Sequence, residues 1–296
     1  MRLNCPNKDC ETRLEKGEDS TSHLVRDGRF YRKSYSRWIQ RYYCKECCRG
    51  FSTATLDPAY CQKKRRVNYP LMIALASGMS MRRSAKMLKI SPTTVARKLV
   101  FLGAQAELAQ QSFLASLPPV SEMQFDDLHT FEHSKYKPLS VTVAVETKTR
   151  KILGVRLSSM AASGLLAKIS RKKYGRRPDR RRRALGELLE SLVPVLKKEV
   201  LITSDEDPRY ETPVKHFFPE ATHKRFKGAP SAKTGQGELK KLFFDPLFSI
   251  NHTFAMMRYG MSRLIRKTWC TTKNPSRLLA HIFVFVAYHN NLLSFV

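Results

Sequence analysis

Alternating apolar and polar residues mark the C-terminal half of the chain as a region of strands. The alternation predicts a strand at 122–131 and a pair of strands within 138–158 that turn at Thr147-Lys148-Thr149. Helical periodicity and short apolar runs predict the elements that follow. These are a helix at 185–199, strands at 199–205 and 222–228, and helices from Asn251 and after Pro275.

Three strands, a helix, a strand, a connecting segment, a strand and a helix follow one another in this region. That is the order of the ribonuclease-H-like α/β fold, in which the first and fourth strands are neighbours. We therefore expect a C-terminal α/β domain at 120–296 with a mixed five-stranded sheet. The segment 106–122 that leads into it predicts a helix followed by a Pro118-Pro119 linker.

Apolar residues between 69 and 103 recur at the spacing of three short helices. Gly78 ends the first helix, Ser80 caps the second, and Ser91 followed by Pro92 starts the third. This pattern predicts a helix-turn-helix DNA-binding domain at 63–105, and a plain helical hairpin joining two domains is the alternative. The predicted DNA contacts are Thr93, Thr94, Arg97 and Lys98 on the exposed face of the third helix, and Lys64 and Arg65 before the first.

Five of the seven cysteines lie within the first 48 residues. Cys5 and Cys10 form a Cys-x4-Cys knuckle, and Cys44 and Cys47 form a Cys-x2-Cys knuckle. Four thiolates at this spacing can coordinate Zn²⁺ tetrahedrally, and so small a module needs a metal crosslink of this kind to fold. We expect a zinc ribbon at 1–62, with strands in the basic, aromatic segment between the knuckles. Cys48 in place of Cys47, or free buried cysteines without metal, are the alternatives.

The charge of the chain indicates a polyanionic partner. Lys and Arg number 54 against 25 Asp and Glu, a formal net charge of +29, and the pI is near 10.1. Double-stranded DNA is the usual partner, because each neutralised phosphate releases a counterion. Without an apolar run of about 18 residues or a signal-peptide pattern, we expect a soluble cytoplasmic protein without a membrane partner. Arg181 and Arg182 lie in the densest basic stretch, which either grips a DNA backbone or is an ordinary solvated loop.

Two acidic residues fall at the predicted ends of neighbouring strands. Asp126 belongs to the first strand and Asp205 to the fourth. Facing carboxylates repel each other unless a divalent cation lies between them, and Mg²⁺ (or Mn²⁺) prefers such oxygen ligands. Two such ions can assist phosphoryl transfer. A third ligand is expected from Asn251, with Asp245 and Glu238 as alternatives; a turn or a helix cap is the ordinary role of a lone aspartate.

Taken together, these stretches resemble the DDE/D transposases of bacterial insertion sequences, in particular the insertion-sequence-one group and its relatives. The matching stretches are Cys5 to Cys47 with the following Arg-Gly-Phe, the helices of 69–103, FDDLHTF, TSDEDPRY and NHTFAMMRYGMSRLIRKTWCTTKNP. The resemblance implies Asp126, Asp205 and Asn251 as catalytic residues. Asn251 stands where the named group has glutamate and another related branch uses asparagine.

The resemblance also implies a reaction and partners. The reaction is Mg²⁺-dependent hydrolysis at the ends of a DNA element, followed by attack of the freed 3′ hydroxyl on target DNA. The zinc ribbon and the helix-turn-helix would recognise terminal inverted repeats, and a homodimer or larger oligomer would assemble on paired ends in the bacterial cytoplasm. Alternatives are a non-enzymatic DNA-binding regulator with an oligomerising C-terminal domain, an inactivated transposase, which the neutral Asn251 permits, and a metal-dependent nuclease or resolvase.

Overall fold

The chain folds into two units, Met1–Arg65 and Arg66–Val296. The structure is a computed structural model that describes residues 3–10, 23–33, 36–227, 245–265 and 269–291. The first unit contains a three-stranded antiparallel sheet in the order β1-β2-β3. Its strands are β1 (Leu24–Arg32), β2 (Arg37–Cys44) and β3 (Arg49–Ser52). The strands predicted between the two cysteine knuckles are therefore confirmed.

The second unit begins with three helices, α1 (Asn68–Ala76), α2 (Met81–Met87) and α3 (Pro92–Ser116). Both predicted caps are confirmed, because the Ser80 hydroxyl accepts a hydrogen bond from the Arg83 amide and the Ser91 hydroxyl accepts one from the Thr94 amide. Each cap satisfies one of the amides that the first turn leaves without a helical partner. The helices share one apolar cluster, which includes Leu71, Leu75, Val95, Leu99 and Leu102.

Helix α3 is longer than the sequence pattern indicates. The pattern predicts one helix that ends at Gly103 and a separate helix from 106, but a single helix of 25 residues runs from Pro92 to Ser116. Gly103 lies where α3 crosses α8 (Pro275–His289), and a Cβ atom there would be 2.6 Å from the Cβ of Ala280. Glycine in the middle of this helix therefore permits close packing and does not mark the helix end.

A mixed five-stranded sheet follows, as predicted. Its strands are β4 (Val120–Phe131), β5 (Pro138–Glu146), β6 (Ile152–Ser159), β7 (Leu196–Asp205) and β8 (Thr222–Phe226). They are arranged in the order β6-β5-β4-β7-β8. The β4–β5 and β5–β6 pairs are antiparallel, whereas β4–β7 and β7–β8 are parallel.

Helices cover both faces of this sheet. They are α5 (Arg181–Leu192), α6 (Glu211–Phe217) and α7 (Phe248–Gly260), in addition to α8, while α4 (Leu166–Tyr174) follows β6 and contributes no side chain to the two apolar clusters. On one face, Phe125 of β4 belongs to an apolar cluster with Leu188 of α5 and Val214 of α6. On the other face, Leu128 of β4 clusters with Phe254 of α7 and with α8. Successive residues of β4 thus point into different cores, as the two-residue period of a strand requires.

Helix α5 begins inside the basic stretch, four residues before the predicted start at Leu185. Ala184, Leu185 and Leu188 are buried, and their packing holds the first turn in place although it consists of arginines. Within the residues that the structure describes, no helix is both long and apolar enough to cross a membrane.

Candidate functional site

The parallel pairing of β4 with β7 brings Asp126 and Asp205 to the same edge of the sheet. The last parallel pair is Gln124 with Thr203. Asp126 and Asp205 each lie two residues further along, and alternation places both on the sheet face that Gln124 and Thr203 share. Although β4 continues to Phe131, it pairs only with β5 beyond this point. The sequence predicts Asp126 at or near the end of its strand. The strand instead continues past it, and Asp126 lies just beyond the last residue pair between β4 and β7.

The carboxyl group of Asp126 lies in a poorly hydrated position. Its Oδ1 accepts the Asp127 backbone amide at 2.7 Å and the Tyr210 hydroxyl at 3.3 Å. Burial raises the pKa of Asp126 to about 7, and the negative charge of Asp205 adds to the rise. The charge of Asp205 thus acts on Asp126, as expected for two carboxyl groups at the same edge of the sheet.

Asp205 lies at the C-terminal end of β7. Its Oδ1 accepts the backbone amide of Asp207 at 3.1 Å, which orients the carboxyl group. Burial raises the pKa of Asp205, and the carboxylates of Asp207 and Asp127 raise it further. Both members of the pair therefore resist ionisation in the absence of a cation.

The start of helix α7 is fixed to the same strand. The Gln124 side chain donates to the carbonyl of Pro246 at 2.9 Å and accepts the Ile250 amide at 3.1 Å. Because Gln124 precedes Asp126 by two residues on one face of β4, the first turn of α7 is held over the face that carries the carboxylate pair. Gln124 is not among the residues predicted from the sequence, although strand alternation places it on the same face of β4 as Asp126.

Two of the predicted third ligands contact each other here: Asn251 lies in this first turn and Asp245 lies three residues before the helix begins. Asn251 is exposed and donates from its Nδ2 to Oδ2 of Asp245 at 2.9 Å. Asp245 also accepts the Leu247 amide through Oδ1 at 3.0 Å. The amide nitrogen of Asn251 faces Asp245, so this bond leaves its amide oxygen as a potential ligand. The remaining candidate, Glu238, lies outside the described residues.

Asp127 points to the opposite face of β4 and joins an ion-pair network there, although its charge also acts on Asp126 and Asp205. Its Oδ1 accepts the Thr142 hydroxyl at 2.5 Å, and its Oδ2 lies 3.8 Å from Nη2 of Arg209. Arg209 is also paired with Asp207. His129 lies near this group, and burial lowers the pKa of its imidazole. The two adjacent aspartates thus have different surroundings, and Asp127 is held in an ion-pair network.

The four predicted cysteine ligands come together in the first unit. The Sγ atoms of Cys5 and Cys47 are 3.6 Å apart and those of Cys10 and Cys44 are 3.8 Å apart. All four Sγ atoms lie within 4.8 Å of one another. A tetrahedral zinc ion with Zn–S bonds of about 2.3 Å requires sulfur–sulfur distances of about 3.8 Å. The cluster therefore fits a zinc ion, and its sulfur atoms are too far apart for disulfide bonds.

The alternative ligand Cys48 is exposed, and its Sγ contacts the Lys45 carbonyl at 3.6 Å. The metal cluster among the described residues contains Cys47 instead. Burial tends to raise the pKa of Cys47, but hydrogen bonds from Asn7 and Cys5 outweigh it and lower the pKa to about 7. A thiolate, the form that binds zinc, is thus readily formed at this position.

The predicted DNA-contacting residues of α3 do not all share one environment. Thr93 and Arg97 are exposed and Thr94 is half-buried. Lys98 is 5% exposed, and its Nζ donates to the Asn68 side chain at 2.6 Å. The expectation that Lys98 lies on the exposed face is wrong. It lies three residues after the buried Val95, and its ammonium group is bound inside the helical cluster.

The other predicted basic DNA contacts also differ in solvent exposure. Lys64 and Arg182 are exposed. Arg65 belongs to the first unit and is paired there with an aspartate eight residues earlier, so its side chain is 17% exposed. Arg181 is likewise paired with the aspartate two residues before it and is 17% exposed. Lys64 and Arg182 are therefore the residues of this set that present their charge to solvent.

Comparison of the chain with models of known protein families and with curated proteins finds no match.

Proposed function

We propose that this protein is a DNA transposase that binds the ends of a DNA element and carries out metal-dependent strand cleavage and strand transfer. The observation that carries the proposal is the carboxylate pair. Asp126 and Asp205 lie two residues beyond the last parallel pair of neighbouring strands, on one face of the sheet, in a chain of net charge +29. A basic protein with a half-buried acidic pair suits a substrate that brings its own negative charge.

The strand order supports a ribonuclease-H-like assignment of the second unit. Three antiparallel strands are followed by two strands parallel to the first, and the first and fourth strands are neighbours. This is the arrangement that the order of elements in the sequence predicts for that fold. The helices α1–α3, with capped starts and an exposed Arg97, support DNA recognition by the same unit.

The proposed ligands are oxygen donors of the kind that Mg²⁺ or Mn²⁺ prefers. Asp126 and Asp205 would supply two carboxylates, with a cation offsetting the effect of the Asp205 charge on Asp126, and Asn251 would supply a neutral oxygen from the first turn of α7. When bound, the metal supplies Lewis-acid activation of the attacking oxygen and stabilises the leaving oxygen. The thiol cluster fits Zn²⁺ and would hold the first unit together.

The protein's own groups position these ligands. The Tyr210 hydroxyl and the Asp127 amide orient the carboxyl group of Asp126, and the Asp207 amide orients that of Asp205. Gln124 holds the start of α7 over the pair. The carboxylates must be ionised to bind a metal, so the raised pKa of Asp126 makes metal binding more favourable as pH rises through about 7.

The test is strand cleavage by Asp126→Asn and Asp205→Asn variants, measured on DNA carrying the element ends with Mn²⁺ or Mg²⁺. Each substitution removes a ligand charge and should lower the cleavage rate by at least about 100-fold, because the metal supplies several kcal/mol of charge stabilisation. DNA affinity, measured in the same samples, should persist.

Asp127→Asn is the matched control, since it changes the adjacent carboxylate on the opposite face of β4. It should keep most of the cleavage activity and instead lower the melting temperature. Equal cleavage by the wild type, Asp126→Asn and Asp205→Asn would contradict the enzymatic proposal. A non-enzymatic DNA-binding regulator would then be the better interpretation. The neutral Asn251 is the observation that favours that alternative or an inactivated transposase.

Two further substitutions identify the third ligand. Asn251→Ala should abolish cleavage if the amide oxygen binds metal, whereas Asp245→Ala should abolish it if the carboxylate does. Because the two side chains are hydrogen-bonded, Mn²⁺ affinity must be measured alongside activity for both variants. A loss of Mn²⁺ binding in Asn251→Ala alone would establish the proposed assignment.

A further inference from the structure

One face of the sheet in the first unit carries two pairs of aromatic rings. Tyr31 of β1 lies opposite Trp38 of β2, with ring centroids 5.7 Å apart in an edge-on arrangement. Tyr42 of β2 lies opposite Phe51 of β3, also 5.7 Å apart and stacked. Directly opposed residues share a face, and so do residues separated by an even number of positions along one strand. Trp38 and Tyr42 are four residues apart, so both pairs lie on the same face.

This face, which we call the aromatic face, is open at the Tyr31–Trp38 end. Trp38 is 65% exposed and Tyr31 is 50% exposed, whereas Ile39, which points to the other side of β2, is 1% exposed. The opposite side also carries exposed rings, Phe30 and Tyr43, but each is only 37% exposed, so the Tyr31–Trp38 pair is the more accessible one. Large aromatic side chains are normally buried, so a pair held against solvent on a short sheet is typical of a binding surface.

The charge around these rings is positive. The three strands carry six arginines and one acidic residue, Asp27, which lies 3.7 Å from Arg41. Arg29 shares the aromatic face because it is two residues from Tyr31. Its Nε donates to the side chain of Gln40 at 2.9 Å, which holds the guanidinium beside the rings. Flat rings next to fixed cations are complementary to bases joined by phosphates.

We propose that the aromatic face binds single-stranded nucleic acid, with bases stacking on Trp38 and Tyr31 and phosphates held by Arg29 and the neighbouring arginines. In a duplex the faces of the bases are covered by their neighbours, so exposed rings on a sheet favour unpaired bases. The inference goes beyond the proposed function, since it requires neither the carboxylate pair nor the helices α1–α3.

Tryptophan fluorescence gives a direct test, because the chain has two tryptophans, Trp38 and Trp269. In the full-length Trp269→Phe variant, Trp38 is the reporter. Titration with a single-stranded oligonucleotide should quench its emission to saturation, because a stacked base contacts the indole ring. The same sequence as a duplex should quench it far less. Zinc content, measured on every variant, shows whether the first unit remains folded.

Affinity measurements on Trp38→Ala and Tyr31→Ala complete the test. Each should weaken single-strand binding by about 5- to 150-fold while changing duplex affinity by less than about twofold. Trp38→Phe keeps a ring and should recover most of the affinity. The matched control is Tyr60→Ala, which removes a 44% exposed aromatic residue of the same unit that lies outside the strands.

Several results would overturn the inference. These are the absence of quenching, equal quenching by duplex and single strand, or an equal loss of affinity in Tyr60→Ala. Dissociation of an oligomer by Trp38→Ala without a change in single-strand affinity would make the aromatic face a contact between copies of the chain. Failure of the proposed function is distinguishable, since an inactive wild-type protein that still binds single strands through Trp38 would leave this inference standing.

Discussion

The carboxyl group of Asp126 is costly to ionise in this fold. It lies half-buried on one face of β4 with Asp205 as a negatively charged neighbour, and partial desolvation and this charge raise its pKa to about 7. The adjacent Asp127 differs because the strand turns it to the opposite face, where Thr142 and Arg209 bind it. At the scale of single residues, strand alternation therefore assigns one aspartate to the candidate metal site and the other to an ion-pair network.

This burial predicts a pH-dependent stability. Because the folded-state pKa of Asp126 is raised, the folded protein keeps a proton that the unfolded chain releases. The corresponding stability is fully present below the ordinary aspartate pKa and is lost as pH rises through about 7. In Mg²⁺-free buffer, the melting temperature should therefore fall between about pH 4 and pH 7 and level off above that range. Asp126→Asn should flatten this part of the curve, as measured by thermal unfolding.

The control for this measurement is Glu206→Gln, which changes an exposed acid next to Asp205 and should keep the wild-type slope. Added Mg²⁺ should restore stability at the high end of the range in the wild type, since a bound cation favours the ionised pair. An identical pH profile for the wild type and Asp126→Asn would show that this carboxyl group has no part in the effect.

Lys98 and Arg97 are adjacent but differ in environment, which predicts opposite phenotypes. Lys98→Met keeps the apolar stem but removes the ammonium group that donates to Asn68. It should therefore lower the free energy of unfolding by about 1–3 kcal/mol and have little effect on DNA affinity. Arg97→Ala should weaken binding to element ends by about tenfold without lowering the melting temperature. Unfolding and DNA-binding measurements on both variants check the assignment, and weaker DNA binding in a stably folded Lys98→Met would contradict it.

At the scale of elements, short periodic segments were predicted well and their ends were not. The strands β4 and β7 and both helix caps follow from local pattern, because alternation and capping involve residues close in sequence. The pattern predicts helix on both sides of Gly103 but not that they form one helix, because the role of Gly103 is to allow the close approach of Ala280 in α8, which is distant in sequence. The burial of Lys98 similarly depends on Asn68, 30 residues away. Long-range contacts decided the elements and residues that the sequence misassigned.

The cysteine cluster is an element whose folding should depend on metal. Cys44→Ser removes a fully buried sulfur from the cluster and should abolish zinc binding and unfold the first unit. Cys48→Ser, four residues later, changes an exposed thiol and should keep one zinc per chain. Metal analysis and circular dichroism distinguish the two, and full zinc content in Cys44→Ser would reject this ligand set.

At the scale of the whole molecule, the excess of positive charge should dominate DNA affinity. With a net charge of +29, we expect log K to fall linearly with log salt concentration. Contact with six or more phosphates would lower affinity by about 1,000-fold or more between about 50 and 200 mM salt. Binding titrations at several salt concentrations check the slope, and a nearly flat dependence would exclude the DNA backbone as the main partner.

The length of α3 has a consequence for where DNA would be cut. Its first turn carries the capped start next to Arg97, and Gln110, further along, donates to the carbonyls of Ile152 and Leu153 in β6. One continuous helix of roughly 37 Å therefore carries both the predicted DNA-contacting residues at its start and the contact with the sheet further along. In the proposed transposase, this helix would fix the distance between the recognised bases and the scissile bond. The cleavage position would then be set by that distance and not by the DNA sequence at the bond.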